Sequence, residues 1–159
     1  TEFGTQMRNK QKVRNTYRVS EKQFSNYVKE STTKKGVAPA DFLYEALESR
    51  LDNVVFRAGY ANARSLARQM VAHGHITVNG RRSTIASRRM KVGDIIAVRA
   101  GSKGSKLFEG LGEKLKTIKV PSWIKIDADK HTVTLQGKPK SVPGEATFNL
   151  TSVIEFYSR

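Results

Sequence analysis

The chain has 159 residues, 29 Lys+Arg against 14 Asp+Glu, and a formal net charge of +15. At 38% hydrophobic residues it can bury one modest core or two small ones. A cation excess of this size repels itself unless an anion binds, and a polyphosphate fits because neutralised phosphates release condensed counterions. There is no cysteine, which excludes disulfides and thiolate metal sites. No apolar run approaches the roughly 20 residues of a membrane span, and no secretory signal opens the chain. The first residue is Thr1 rather than Met, so a longer protein with a preceding segment is expected.

The N-terminal block predicts helices. Lys10, Lys12, Arg14 and Arg18 form a basic stretch around Val13 and Tyr17. Ser20 with Gln23 reads as a capping box, Val19 can staple onto Phe24, and Phe24, Tyr27 and Val28 share one face of the helix that follows. Ser31 to Pro39 predicts a loop. One helix is expected through Leu43, Leu47, Leu51, Val54 and Val55, ended by Gly59. A second is expected through Ala63, Leu66, Ala67, Met70 and Val71, capped by Asn62 and stopped by Gly74.

The hydrophobic period then changes to two. Ile76 and Val78 alternate with Thr77, Asn79-Gly80 is a type I′ turn signal, and Gly93-Asp94 is a second turn before Ile95, Ala97 and Val98. Residues 75–99 therefore predict a small antiparallel sheet. Gly101 to Ser105 reads as a flexible link and 106–118 as a short helix. Ile124 and Ile126, then Val133 and Leu135, bracket a hairpin that turns at Asp127 to His131. Pro139 to Gly144 reads as loop, and Asn149 caps a last helix carrying Leu150, Val153, Ile154 and Tyr157 on one face.

The charge is uneven. Residues 61–99 carry eight Lys/Arg against one acidic residue, whereas residues 36–60 carry two against four. Two basic blocks thus flank a mildly acidic helical stretch, which predicts two RNA-facing surfaces rather than a uniform coat. Arg64 and Arg68 lie four apart and share a helix face. The start of that helix offers N–H groups and a positive dipole end to phosphate. Arg81 and Arg82 crowd the hairpin tip, and Arg88, Arg89 and Lys91 follow in the next loop. Guanidinium suits such a surface because it forks two donors onto phosphate and stacks on splayed bases. Singly, each piece reads as an ordinary solvated face; together they predict an RNA interface. His73 and His75 alternate, so both rings could face one way, but no third ligand accompanies them and an RNA contact or a cap beside Gly74 is the better reading.

Catalysis finds no support. There is no Gly-rich phosphate loop and no nucleophile paired with a base. Asp127 and Asp129 sit in a turn where carboxylates commonly make local backbone bonds. Aromatic residues make up 8% of the chain, too few for a single-strand stacking platform, which favours folded RNA read by shape and backbone.

The run LESRLDNVVFRAGYANARSLARQMVAHGHITVNGRR, then VGDIIAV, resembles the alpha-L RNA-binding motif. With KQKVRNTYRVSEKQF at 10–24 and VIEFYSR at the end, the chain is similar to the bacterial small-subunit ribosomal protein four family, lacking that family's N-terminal arm. The resemblance implies an α+β fold: a helical rRNA-binding domain over 1–48 and 146–159, and an inserted domain over 49–145 with the motif, two helices plus a small antiparallel β-sheet, at about 49–110. It implies a non-enzymatic constituent of the cytoplasmic small subunit that binds the five-prime domain of small-subunit rRNA and nucleates assembly. It also implies a role in translational accuracy, ribosomal proteins five and three as neighbours, contact with mRNA in some members, no cofactor, no membrane, and a monomer outside the ribosome.

Matching family positions are Lys10, Lys12, Arg14, Arg50, Asp52, Asn53, Arg64, Arg68, Gln69, His73, Gly74, His75, Asn79 and Gly80. The charge pattern adds Arg18, Arg57, Asn62, Arg81, Arg82, Arg88, Arg89 and Lys91 as expected RNA contacts. The sequence departs from the family at Asn62, Ala63 and Ser65. Two rivals stand beside this reading: an RNA-modifying enzyme using the motif as an accessory, for which about sixty residues after the motif are too few, and a free-standing factor of translational stress.

Overall fold

The computed structural model describes residues 1–141 and 149–159. In chain order its helices are α1 (Glu2–Tyr17), α2 (Glu21–Thr33), α3 (Pro39–Glu48), α4 (Leu51–Arg57), α5 (Arg64–Ala72), α6 (Leu111–Thr117) and α7 (Leu150–Tyr157). The strands are β1 (Ile76–Val78), β2 (Arg81–Arg82), β3 (Ile95–Val98), β4 (Ile124–Asp127) and β5 (Thr132–Leu135). The fold is α+β. It divides into two compact units, Thr1–Glu48 with Pro139–Arg159, and Ser49–Lys138. The expected domain boundary at 145/146 and part of the expected loop from Pro139 to Gly144 lie outside the described residues. No helix among the described residues is long and apolar enough to cross a membrane.

In the first unit, α1, α2, α3 and α7 pool Val13, Tyr17, Phe24, Val28, Leu43, Leu47, Leu150 and Val153 into one core. Local chemistry sets the helix ends. Arg18 closes α1 in the left-handed region, φ 57, with its N–H on the Arg14 and Asn15 carbonyls. The Ser20 hydroxyl accepts the Gln23 N–H at 3.2 Å, and Asn149 accepts the Ser152 N–H at 3.0 Å. The expected loop from Ser31 to Pro39 is present but shorter, running over residues 34–38. The hydroxyls of Ser31, Thr32 and Thr33 donate back to the Val28, Lys29 and Glu30 carbonyls, at 2.6, 2.9 and 3.1 Å, and α2 continues to Thr33.

The second unit revises three more expectations. The single helix predicted from Leu43 to Val55 is two, because the chain is extended at Arg50 (φ −62, ψ 140) and pairs with the loop opposite. There the Met90 N–H donates to Ser49 O at 2.7 Å and the Leu51 N–H to Arg88 O at 2.8 Å. The apolar spacing survives this break, so periodicity hides it. Second, α5 begins at Arg64 behind Ala63, which supplies no side-chain cap; Asn62, expected to cap, instead accepts the Lys114 ammonium at 2.7 Å. Third, Gly101 to Ser105 is ordered. Ser102 is buried, and the Ser105 hydroxyl accepts the Leu107 N–H at 3.3 Å.

The two predicted β regions form one five-stranded antiparallel sheet, ordered β2-β1-β3-β5-β4. β3 joins them by pairing Ile96 with Val133. Period-two burial explains the merger: Ile76, Val78, Ile96, Val98, Val133 and Leu135 are all buried, which leaves one apolar face to cover. The β1–β2 turn is the predicted one, with φ 52 at Asn79 and 83 at Gly80.

Candidate nucleic-acid interface

The second unit holds most of the charge: 18 Lys/Arg against 6 Asp/Glu leave +12, while 11 against 8 leave the first unit +3. Ten of these 18 cations fall between Arg50 and Arg99, on α4, α5, the β1–β2 hairpin and the loops beside them. The loop that bears Arg88, Arg89 and Lys91 is fastened to the start of α4 by the Ser49, Leu51 and Asp52 backbone, Asp52 donating its N–H to Ala86 O at 3.1 Å. One residue on, the buried Asn53 accepts Arg64 Nε at 3.0 Å, and the Arg64 guanidinium lies 4.5 Å from the Phe56 ring centroid. At the far end of α5, Gly74 has φ +79 and Arg82 passes over it; a Cβ there would stand 3.0 Å from Arg82 Cδ. Arg99, absent from the expected contacts, donates Nε to Gly74 O at 2.9 Å and so holds the turn that follows the helix. Its signal was present in the sequence: a cation closing the strand that pairs beside His75.

Arg68, Arg81, Arg82, Arg88, Arg89 and Lys91 are exposed, as is His73 at the end of α5. Arg57 is half-buried. His75 is also half-buried; its Nδ1 lies 2.7 Å from Ser102 Oγ, and its ring sits edge-on to Phe108 at 6.0 Å. Asn79 is exposed, but its amide is engaged, donating to Asp94 at 3.0 Å and accepting the Ile95 N–H at 2.9 Å. Asn79 thus locks the hairpin tip that carries Arg81 and Arg82.

Three expected contacts turn inward instead, into ion pairs. Arg50 is 2% exposed, with Nε and Nη2 on the two oxygens of Asp52 at 3.1 and 3.0 Å. Such a pair holds the break between α3 and α4 and leaves no face for RNA. Lys10 is 8% exposed and gives its ammonium to Glu21 at 3.1 Å. Arg14, partly exposed, also turns inward to Glu21 at 3.3 Å and to the Val19 carbonyl at 3.2 Å. Burial raises the Glu21 carboxyl, but hydrogen bonds from Tyr157 and Lys10 and the charges of Lys10 and Arg14 outweigh it and hold the group below its ordinary value. Lys12 and Arg18 are the exposed members of this N-terminal set.

Comparison with known proteins places the chain. Residues 49–96 match the model of the S4 domain, and residues 1–48 match that of the ribosomal protein S4/S9 N-terminal domain. The small ribosomal subunit protein uS4 of Syntrophomonas wolfei is 42% identical over 159 residues, covering 100% of this chain and 76% of the relative. The uS4 proteins of Herpetosiphon aurantiacus and Acinetobacter baumannii (strain ATCC 17978) are 45% and 43% identical over the same shares. Whole-chain alignment at this identity, with the two family models matched over residues 1–96, removes the two rival readings. The chain belongs to the uS4 family of small ribosomal subunit proteins.

Proposed function

We propose that the chain is a primary rRNA-binding protein that docks on the five-prime domain of small-subunit rRNA and nucleates assembly there. It is a structural, non-enzymatic constituent of the small ribosomal subunit. The observation that carries the RNA reading is the convergence of separate segments on α4 and α5. Arg68 comes from the helix, Arg82 from the hairpin, and Arg88, Arg89 and Lys91 from a loop hydrogen-bonded to α4. Cations held on a rigid frame meet phosphates without first being ordered, so more of each contact is kept as affinity.

The proposed contact set is Lys12, Arg18, Arg57, Arg64, Arg68, His73, Arg81, Arg82, Arg88, Arg89 and Lys91. Lys10, Arg14, Arg50, Asn62, His75 and Asn79 are engaged within the protein and stand outside the proposed set. Ribosomal proteins five and three as neighbours, an influence on decoding accuracy and contact with mRNA belong to the same proposal. Filter binding tests it with separate transcripts of the three rRNA domains at one salt concentration. The five-prime transcript is expected to bind roughly a thousandfold more tightly, the low end of the gap between specific and non-specific nucleic-acid binding. Equal affinity for all three would reduce the chain to a general polyanion binder.

A further inference from the structure

The second unit contains a cavity of about 270 Å³ between the sheet and the segment leading into α6, lined by no residue of α4 or of the arginine loop. Its floor is apolar, from Val98, Phe108 and Leu111, and its polar lining comes from Lys103, Lys130 and His131. That volume is just under the roughly 300–1,000 Å³ of ordinary small-ligand pockets and suits one planar ring system.

Three independent features build the pocket around His131. The residue has φ 55, a left-handed conformation that costs a non-glycine side chain about 1–2 kcal/mol. Its carbonyl accepts the buried Tyr60 hydroxyl at 2.7 Å, and burial pushes that phenol up, so it stays a donor. Across from it, Gly112 leaves room for the ring: a Cβ there would stand 2.9 Å from His131 Nε2. Phe108 is fixed in turn against the His75 ring. Strain at an ordered position, held by a buried donor and cleared by a glycine, orients an aromatic ring toward a cavity flanked by two exposed lysines.

We propose that this cavity takes one unpaired nucleotide of the bound RNA, its base against the apolar floor and the His131 ring and its phosphate on Lys103 and Lys130. This rests on the rRNA-binding reading and adds to it a site that reads a base, where the arginine surface touches backbone. The chain has too few aromatics for a stacking platform, but a single extruded base needs only one pocket.

Ultraviolet cross-linking of the full chain on small-subunit rRNA, followed by tryptic peptide mass spectrometry, is expected to place a nucleotide on residues 107–114 or 131–140. Gly112→Ala, which pushes the ring aside without changing charge, and His131→Gly, which removes the ring and relieves the backbone, should each weaken binding about tenfold at an unchanged salt slope. Lys103→Ala and Lys130→Ala should flatten that slope. No cross-link on either peptide, with wild-type affinity in both uncharged variants, overturns the pocket. If Arg88→Ala and Lys91→Ala still weaken binding in that case, the rRNA reading stands without it. If the wild-type chain binds no rRNA, both fall. Nuclear magnetic resonance shifts at Phe108 and His131 on adding 5′-AMP, without an RNA cross-link there, would assign the cavity to a free nucleotide and also overturn the proposal.

Discussion

Arg64 and Arg68 stand one helical turn apart on α5, yet Arg64 rests on the Phe56 ring and gives Nε to Asn53, whereas Arg68 is exposed. Truncating Arg64 removes a cation–π contact and a hydrogen bond to a buried amide, so Arg64→Ala should lower unfolding stability by about 1–2 kcal/mol. Arg68→Ala should leave stability within about 0.5 kcal/mol and flatten the salt dependence of rRNA binding by about one unit. Urea denaturation and filter binding on both variants check the split; equal stability would place Arg64 outside the frame. The sequence placed both residues on one face and read them alike, because spacing reports a face and not what packs on it. Arg50 was hidden in the same way, by a periodicity that runs through it. An ion pair to Asp52 at i+2 cannot close on a continuous helix, and the structure breaks the helix there and buries the pair.

At the scale of elements, Glu21 ties three helices of the first unit together. It opens α2, accepts Lys10 at 3.1 Å from α1 and the Tyr157 hydroxyl at 2.7 Å from α7, and lies 3.3 Å from Arg14. Its carboxyl is held below the ordinary 4.5. A depressed carboxylate contributes stability that is fully present above the unfolded value and is lost as pH falls through the folded one. Glu21→Gln should therefore be less stable than the parent at pH 7, with the gap closing below about pH 4.5. The side chain is 51% exposed, so the gap should stay under about 1 kcal/mol. Urea midpoints at pH 7 and pH 3 measure it; a gap that does not change with pH would make the junction non-ionic. The caps of α2 and α7 were readable in the sequence, since Ser20–Gln23 and Asn149–Ser152 are local. The Tyr157 contact was not, because its partners lie 136 residues apart and neither signals the other. The same reasoning covers the sheet. Each hairpin is local and was predicted, while the β3–β5 pairing that fuses them is long-range and follows only from the need to cover a shared apolar face.

For the whole molecule, the +12 of the second unit makes salt act in opposite directions on folding and on binding. In the free protein the excess cations repel, and raising ionic strength from about 0.01 to 0.15 M shortens the screening length from about 30 to 8 Å. The buried Arg50–Asp52 pair is little affected by screening, so relief of repulsion should dominate and the melting temperature should rise. Over the same interval rRNA affinity should fall, because less is gained from counterion release. The effect should follow the charge. Converting Arg68, Arg88 and Lys91 to Ala together should flatten the binding slope by about two to three units, whereas converting the exposed Lys29, Lys34 and Lys35 of the first unit should flatten it by less than about one. Scanning calorimetry of the free chain and filter binding of the two triple variants test both parts. A melting temperature that falls with salt would mean that ion pairs, not repulsion, govern the free protein. Equal slopes for the two variants would mean that the RNA is held by net charge alone, with no preference for the frame built on α4 and α5.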